Sequence, residues 1–145
     1  MTRTATLPRR SAAEFQAEVA QALLHLTDVP WLATESPLVT LPEVIRRSEG
    51  SRQLFADGQA LADVLREVAD SVADRLVGTG KVKLLRETVQ GVCAGKSIAG
   101  IARELGYSRE HFSRTYWGQA VGLVADELAA LSGQKPITYN TRRQR

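Results

Sequence analysis

The stretch REHFSR, residues 109–114, holds several side chains that can each form more than one hydrogen bond. Arg109 and Arg114 carry planar forks of N–H donors. The carboxylate of Glu110 accepts hydrogen bonds, and the hydroxyl of Ser113 can donate or accept. These groups match the edges of base pairs in the major groove, where arginine binds guanine and glutamate accepts from cytosine. We therefore predict base contacts from Arg109, Glu110, Ser113 and Arg114.

The residues around this stretch have the spacing that a helix-turn-helix requires. Two helices that cross steeply over a short turn need a small residue where they meet and a residue with positive φ in the turn. Ala102 and Gly106 meet these needs, and Phe112 then faces inward to hold the second helix on the first. Ser97 and Ser108 precede the two helices as N-caps. The pattern predicts a recognition helix that begins after Ser108.

This segment resembles the helix-turn-helix of bacterial transcription regulators, of the kind found in sigma-factor region 4 and in response-regulator output domains. The resemblance covers about residues 81–124 and rests on Leu84, Leu85, Val89, Val92, Gly95, Ser97, Ile101, Ala102, Leu105, Gly106, Ser108, Phe112 and Arg114. It implies that the helix after the turn enters the major groove. It also implies phosphate contacts from Lys96, Ser97, Arg103 and Ser108. The sequence departs from the family pattern in its bulky Phe112 and in a recognition helix that extends to about Leu131.

Helical periodicity indicates which elements must position this segment. Apolar residues recur every three or four positions over residues 11–26 and again over residues 53–77. Pro30, Pro37 and Pro42 limit the connection between them to short helical turns. No run alternates β-branched and polar residues as a strand does. We predict an all-α fold, with an N-terminal helical region followed by a C-terminal helix-turn-helix that has an extended recognition helix.

The chain divides into four segments on this basis. We predict a flexible basic arm at 1–10, an N-terminal helical region at 11–78, a helix-turn-helix DNA-binding region at 81–131 and a mobile basic tail at 132–145. The N-terminal region would serve packing, dimerisation or the docking of a protein partner.

The net charge of +3 hides an asymmetry along the chain. Residues 11–80 carry five arginines against eleven acidic residues, whereas residues 81–145 carry eleven lysines and arginines against five acidic residues. A basic half beside an acidic half favours a polyanionic partner for the basic half, although a solvated surface would give the same counts.

A second apolar stripe on the recognition helix leaves two interpretations open. It consists of Trp117, Val121, Val124 and Leu128, and it adjoins the stripe that continues from Phe112. The N-terminal helices of the same chain can cover it. Alternatively, it can form a homodimer interface, because two-fold dimers commonly recognise two DNA half-sites.

The composition favours a globular protein without catalytic machinery. The chain has 145 residues, of which 43% are apolar and 24% are charged, as in ordinary globular domains. The single Cys93 cannot form an intramolecular disulfide, and no Cys or His spacing indicates a metal site. Because no phosphate-binding loop or activated nucleophile is recognisable, we predict no enzyme, no metal and no cofactor. We expect a cytoplasmic, nucleoid-associated protein, since no signal segment or membrane span is apparent.

These patterns together predict a sequence-specific protein that binds double-stranded DNA and regulates transcription. The alternative is a helix-turn-helix that serves as a protein-interaction module, which would bind a protein partner and show no affinity for duplex DNA at low salt. Part of a recombinase or transposase would need carboxylates that converge from distant segments, whereas the acidic residues here follow one helix stripe.

Overall fold

A computed structural model describes residues 11–132, and all the regular secondary structure in this range is helical. The elements in chain order are α1 (Ala12–Leu24), α2 (Val29–Glu35), a 3-10 turn (Pro37–Thr40), α3 (Pro42–Ser48), α4 (Ala56–Arg75), α5 (Lys81–Cys93), α6 (Ile98–Leu105), α7 (Arg109–Phe112), a π turn (Ser113–Trp117) and α8 (Gly118–Ser132). The all-α prediction is confirmed for this range. The predicted basic arm and residues 133–145 of the predicted basic tail lie outside the described residues.

The helix α1 begins with a reciprocal pair of hydrogen bonds. The hydroxyl of Ser11 accepts from the backbone N–H of Glu14 at 3.0 Å, while the carboxylate of Glu14 accepts from the backbone N–H of Ser11 at 2.9 Å. This capping box satisfies two donors that have no partner within the helix. From this start, Phe15, Val19 and Leu23 face the interior and are buried.

Prolines open the short helices that follow instead of merely interrupting a longer one. Pro30 lies in the first turn of α2, and Pro37 and Pro42 are the first residues of the 3-10 turn and of α3. Proline suits these positions because its fixed φ is helical and its missing N–H would have no partner there. The short helices bury Leu32, Leu38, Leu41 and Val44.

The helix α4 contacts most of the other helices. It packs against α2, α3, α5 and α8. Its apolar stripe is buried as the periodicity predicts, with Leu61, Leu65, Val68 and Val72 in the interior. This helix therefore forms the platform on which the C-terminal helices rest.

The N-terminal and C-terminal helices share one cluster of buried side chains, which extends from Phe15 to Ala129. Polar contacts reinforce it, since Arg75 of α4 donates to Glu127 of α8 at 2.8 Å. Arg86 of α5 also donates to the carbonyl oxygen of Leu76 at 2.7 Å. The helices α6 and α7 are thus attached to a core that both regions of the chain build.

The second apolar stripe belongs to this core, so packing within the chain, one of the two interpretations left open, accounts for its burial. Val121, Val124 and Leu128 are 4%, 1% and 0% exposed, and Trp117 is half-buried against the same cluster. The helices α1 and α4 pack against α8 and cover the stripe. Homodimerisation itself stays a prediction.

Candidate nucleic-acid interface

The helix α6 begins and ends at the residues that the sequence predicts. Ser97 caps it by accepting a first-turn backbone N–H at 3.0 Å. At the other end, Gly106 has a φ of 84°. The backbone N–H of Tyr107 donates to the carbonyl oxygen of Ala102 at 2.9 Å, and that of Gly106 donates to Arg103 at 3.2 Å. This pair of bonds is a Schellman motif, which ends the helix and redirects the chain through a residue with positive φ.

Buried contacts fix α7 relative to α6 and α5. Ala102 and Phe112 are 1% and 0% exposed, so both face inward as their spacing predicts. Ser108 caps α7 by accepting a first-turn backbone N–H at 3.1 Å. The helix α5 approaches α6 closely at Gly91, where an added Cβ would lie 3.1 Å from the side chain of Ile101. The three-residue connection from 106 to 108 is therefore held on both sides.

The four predicted base contacts differ in exposure. Arg109, Glu110 and Arg114 are exposed on α7 and the turn that follows it. None of these three forms an ion pair within residues 11–132. Ser113 is half-buried where the π turn begins, so its hydroxyl is less available to a partner than the other three groups.

The helix that begins with α7 continues to Ser132, but it is not the regular recognition helix that the sequence predicts. Residues Ser113–Trp117 form a π turn, which accommodates an extra residue and rotates the faces of the helix that follows. Within it, the hydroxyl of Thr115 donates to the carbonyl oxygen of His111 at 2.7 Å. Tyr116 is half-buried beside Phe112, with ring centroids 6.4 Å apart. The exposed first turn is thus offset from the buried helix α8.

Three aromatic rings brace the first turn of α7, and sequence reasoning missed them as a cluster. The rings of Tyr107 and His111 stack with centroids 5.1 Å apart, and the rings of Tyr107 and Tyr116 are 5.2 Å apart. The two tyrosine hydroxyls share a hydrogen bond of 3.4 Å, which is the main reason that the pKa of Tyr107 lies above its ordinary value. The four-residue spacing of Tyr107 and His111 was a usable signal, whereas the contact with Tyr116 depends on the π turn.

The predicted phosphate contacts are all exposed but differ in their partners. The ammonium group of Lys96 lies 2.9 Å from the carboxylate of Glu104, whereas Arg103 forms no ion pair within the described part of the chain. Ser97 and Ser108 accept hydrogen bonds as caps, and each keeps an O–H that can donate to a phosphate oxygen.

A groove brings part of the predicted set together. Lys96 and Ser97 at the start of α6 and Arg109 at the start of α7 line one concave surface of about 510 Å³, together with residues at the end of α1. None of the acidic residues between 11 and 132 lines it. Glu110, Arg103 and Arg114 do not line this groove. One predicted base contact, Arg109, therefore lines the same groove as two predicted phosphate contacts, Lys96 and Ser97.

Neither a metal site nor a membrane span is found in the described range. Residues 11–132 contain no group of three or more His, Cys, Asp or Glu side chains that could hold a metal ion. No helix in that range has the length and apolar character needed to cross a bilayer.

Comparison with protein-family models, curated proteins and solved structures gave no match to this chain. The resemblance to helix-turn-helix regulators accordingly rests on the residues of the segment 81–124 themselves.

Proposed function

We propose that this chain is a sequence-specific protein that binds double-stranded DNA, and that it regulates transcription from the nucleoid. The helix after Ser108 enters the major groove. The observation that carries this proposal is the groove shared by Lys96, Ser97 and Arg109, which no acidic residue of the described part of the chain lines. A protein that reads DNA needs its phosphate-binding and base-reading groups on the same side, because phosphate contacts set the register in which side chains meet the bases.

Each exposed group has a distinct role in this proposal. Arg109 and Arg114 each donate two hydrogen bonds to a guanine, and Glu110 accepts a hydrogen bond from a cytosine. Arg103 donates to phosphate. Lys96 also binds phosphate, and to do so it gives up its ion pair with Glu104. That pair is weak, because its side chains are 46% and 58% exposed, and exposed pairs of this kind contribute only about 0–1 kcal/mol.

The aromatic cluster and the buried Phe112 support readout by holding the first turn of α7 in place. A base contact discriminates only when its side chain starts from a fixed backbone position, since a mobile helix would meet several base pairs equally well. Tyr107 in the connection and Tyr116 in the π turn contact each other across this first turn. They restrain both ends of the segment that carries Arg109 and Glu110.

The decisive experiment selects duplexes from a random library with the purified full chain. We expect one enriched motif, whose preferred base pairs change in Arg109→Ala and Arg114→Ala but not in Arg52→Ala. Arg52 is a matched control because it is exposed and lies in the connection before α4, outside α5 to α8. A library that remains unenriched, with no affinity for any duplex at low salt, would refute the proposal.

The alternative of a protein-interaction module also has an observation in its favour. The exposed surface of α6 and α7 is of mixed charge, because Glu104 and Glu110 lie among the basic side chains. Mixed exposed charge suits a protein partner as well as it suits DNA. Binding to a protein through this surface, together with a lack of affinity for duplexes at low salt, would favour this alternative.

A further inference from the structure

The groove beside Arg109 has apolar lining residues as well as a charged rim. Its volume of about 510 Å³ falls within the range of small-molecule sites. Leu23 and Leu24 at the end of α1, Val92 of α5 and Ile98 of α6 line it. Leu24 is 44% exposed and so leaves apolar surface open to solvent. A phosphodiester backbone would meet the charged rim and leave Leu24 and Ile98 uncovered.

Among the described residues, the charged side chains that line the groove are cationic. They are Arg109 and Lys96. The ammonium group of Lys96 is paired with Glu104 at 2.9 Å, whereas Arg109 forms no ion pair within residues 11–132. Arg109 can therefore bind an anion without first giving up an ion pair of the described range, and it lines the groove together with the apolar residues.

We propose that this groove binds a small amphipathic carboxylate, such as a medium-chain fatty acid. The guanidinium fork of Arg109 binds the carboxylate through two parallel hydrogen bonds, a geometry in which arginine excels. The hydrocarbon chain lies against Leu24 and Ile98, which keep apolar surface open to solvent. Such a ligand covers both the cationic rim and the apolar floor.

This site regulates DNA binding, because the ligand occupies the arginine proposed to read bases. Carboxylate and guanine compete for the same donors of Arg109, so the ligand releases the protein from its duplex. The regulatory consequence rests on the proposed function, whereas the binding of the carboxylate does not depend on it.

Calorimetric titration of the full chain with decanoate, kept below its micelle concentration, tests the site directly. We expect saturable binding at one site, with decan-1-ol and decyltrimethylammonium binding more weakly. Removing the charged hydrogen bonds in Arg109→Gln should weaken decanoate binding about tenfold or more, with little effect on decan-1-ol. Equal binding of the three probes, or no saturable binding of decanoate, would overturn the site.

A second variant tests the location of the site without changing Arg109. Thr27 is exposed and lines the groove, so Thr27→Trp should fill it and abolish decanoate binding. Gln21→Trp places the same side chain at an exposed position of α1 outside the groove and should leave binding intact. Circular dichroism checks that both variants are folded. Undiminished decanoate binding by Thr27→Trp would contradict the proposed location.

Duplex titrations with and without decanoate test the regulatory link. Decanoate should lower duplex affinity in the wild type and not in Thr27→Trp. If decanoate binds in calorimetry and duplex affinity does not change, the regulatory link is refuted. If no duplex binds even without decanoate, the proposed function fails, while the calorimetric result still supports the carboxylate site.

Discussion

The backbone N–H of Tyr107 donates to the carbonyl oxygen of Ala102 at 2.9 Å, across the point where α6 ends. Gly106 lies between them with a φ of 84°. An added Cβ at this glycine would meet no atom within 4 Å, so lack of space does not explain it. The positive φ does, because side chains with a branched Cβ are strained in that conformation. The direction in which α7 leaves α6 therefore depends on a backbone requirement.

Replacing Gly106 should destabilise the fold in proportion to this strain. We expect Gly106→Val to lower the free energy of unfolding by about 1–3 kcal/mol. Gly106→Asn should cost less, because asparagine tolerates the left-handed conformation. Urea unfolding measures both. A valine variant as stable as the wild type would show that residue 106 is not held at positive φ.

Two helical glycines should respond to alanine in opposite directions. Gly58 of α4 lies against α2, where an added Cβ would stand 2.9 Å from the amide nitrogen of Ala33 and closer still to the carbonyl oxygen of Val29. Gly122 of α8 has room, since the nearest atom to its added Cβ is Nε2 of Gln16 at 3.8 Å. Gly58→Ala should lower the melting temperature. Gly122→Ala should raise it, because alanine favours a helix by up to about 1 kcal/mol over glycine.

Truncating α8 tests whether its apolar stripe is internal. Leu128 is 0% exposed and Leu131 is 48% exposed. Leu128→Ala should lower the free energy of unfolding by about 2–5 kcal/mol, whereas Leu131→Ala should change it by less than about 0.5 kcal/mol. Urea unfolding compares the two. Equal and small effects would mean that α1 and α4 do not cover this helix.

Local rules explain why much of the α6 and α7 geometry could be predicted from sequence. The caps at Ser97 and Ser108 and the positive φ at Gly106 each depend on residues within a few positions, so single-residue chemistry is enough to place them. Phe112 faces inward because the same spacing fixes its side of the helix. The all-α fold follows from periodicity that is continuous over long stretches.

The features that could not be predicted depend on distant contacts. Periodicity shows that Val121 and Leu128 share an apolar face, but it does not show what covers that face, and the homodimer interface was one of two open interpretations. The covering helix α1 lies about a hundred residues earlier in the chain. The π turn could not be predicted from the sequence either, because helix propensities do not distinguish Ser113–Trp117 from an ordinary α-helix. Within the π turn, the ring of Tyr116 packs beside the ring of Phe112.

An ion-pair network on α3 should make stability depend on pH. Arg47 donates to Glu67 of α4 at 2.8 Å and to Glu43 at 2.7 Å. Hydrogen bonds from Arg47 are the main reason that the pKa values of Glu43 and Glu67 lie below their usual range. The stabilisation is therefore present above the unfolded value of about 4.3 and is lost as the pH falls through the lower folded values.

Arg47→Met should accordingly be less stable than the wild type at neutral pH. Because the carboxylate side chain of Glu67 is 60% exposed, we expect a loss of about 1 kcal/mol or less. The difference should vanish once both glutamates are protonated. Urea midpoints measured across the acid range test this, with Arg52→Met as an exposed control. A difference that persists in acid would assign the effect to packing of the Arg47 stem.

Substitution of Arg103 and Arg109 should separate phosphate binding from base reading. Arg103 is exposed on α6 and is a proposed phosphate contact. Arg103→Ala should therefore lower the affinity for all duplexes alike and reduce the slope of log affinity against log salt by about 0.9. Arg109 begins α7 and is a proposed base contact, so Arg109→Ala should cost about 1–3 kcal/mol on the preferred duplex and relax its preference at particular base pairs. Titrations of preferred and scrambled duplexes at several salt concentrations distinguish the two effects, with Arg52→Ala as the control. If Arg109→Ala changed neither duplex affinity nor base preference, the first turn of α7 would not lie in the major groove of DNA. Docking of a protein partner would then become the better account of this surface.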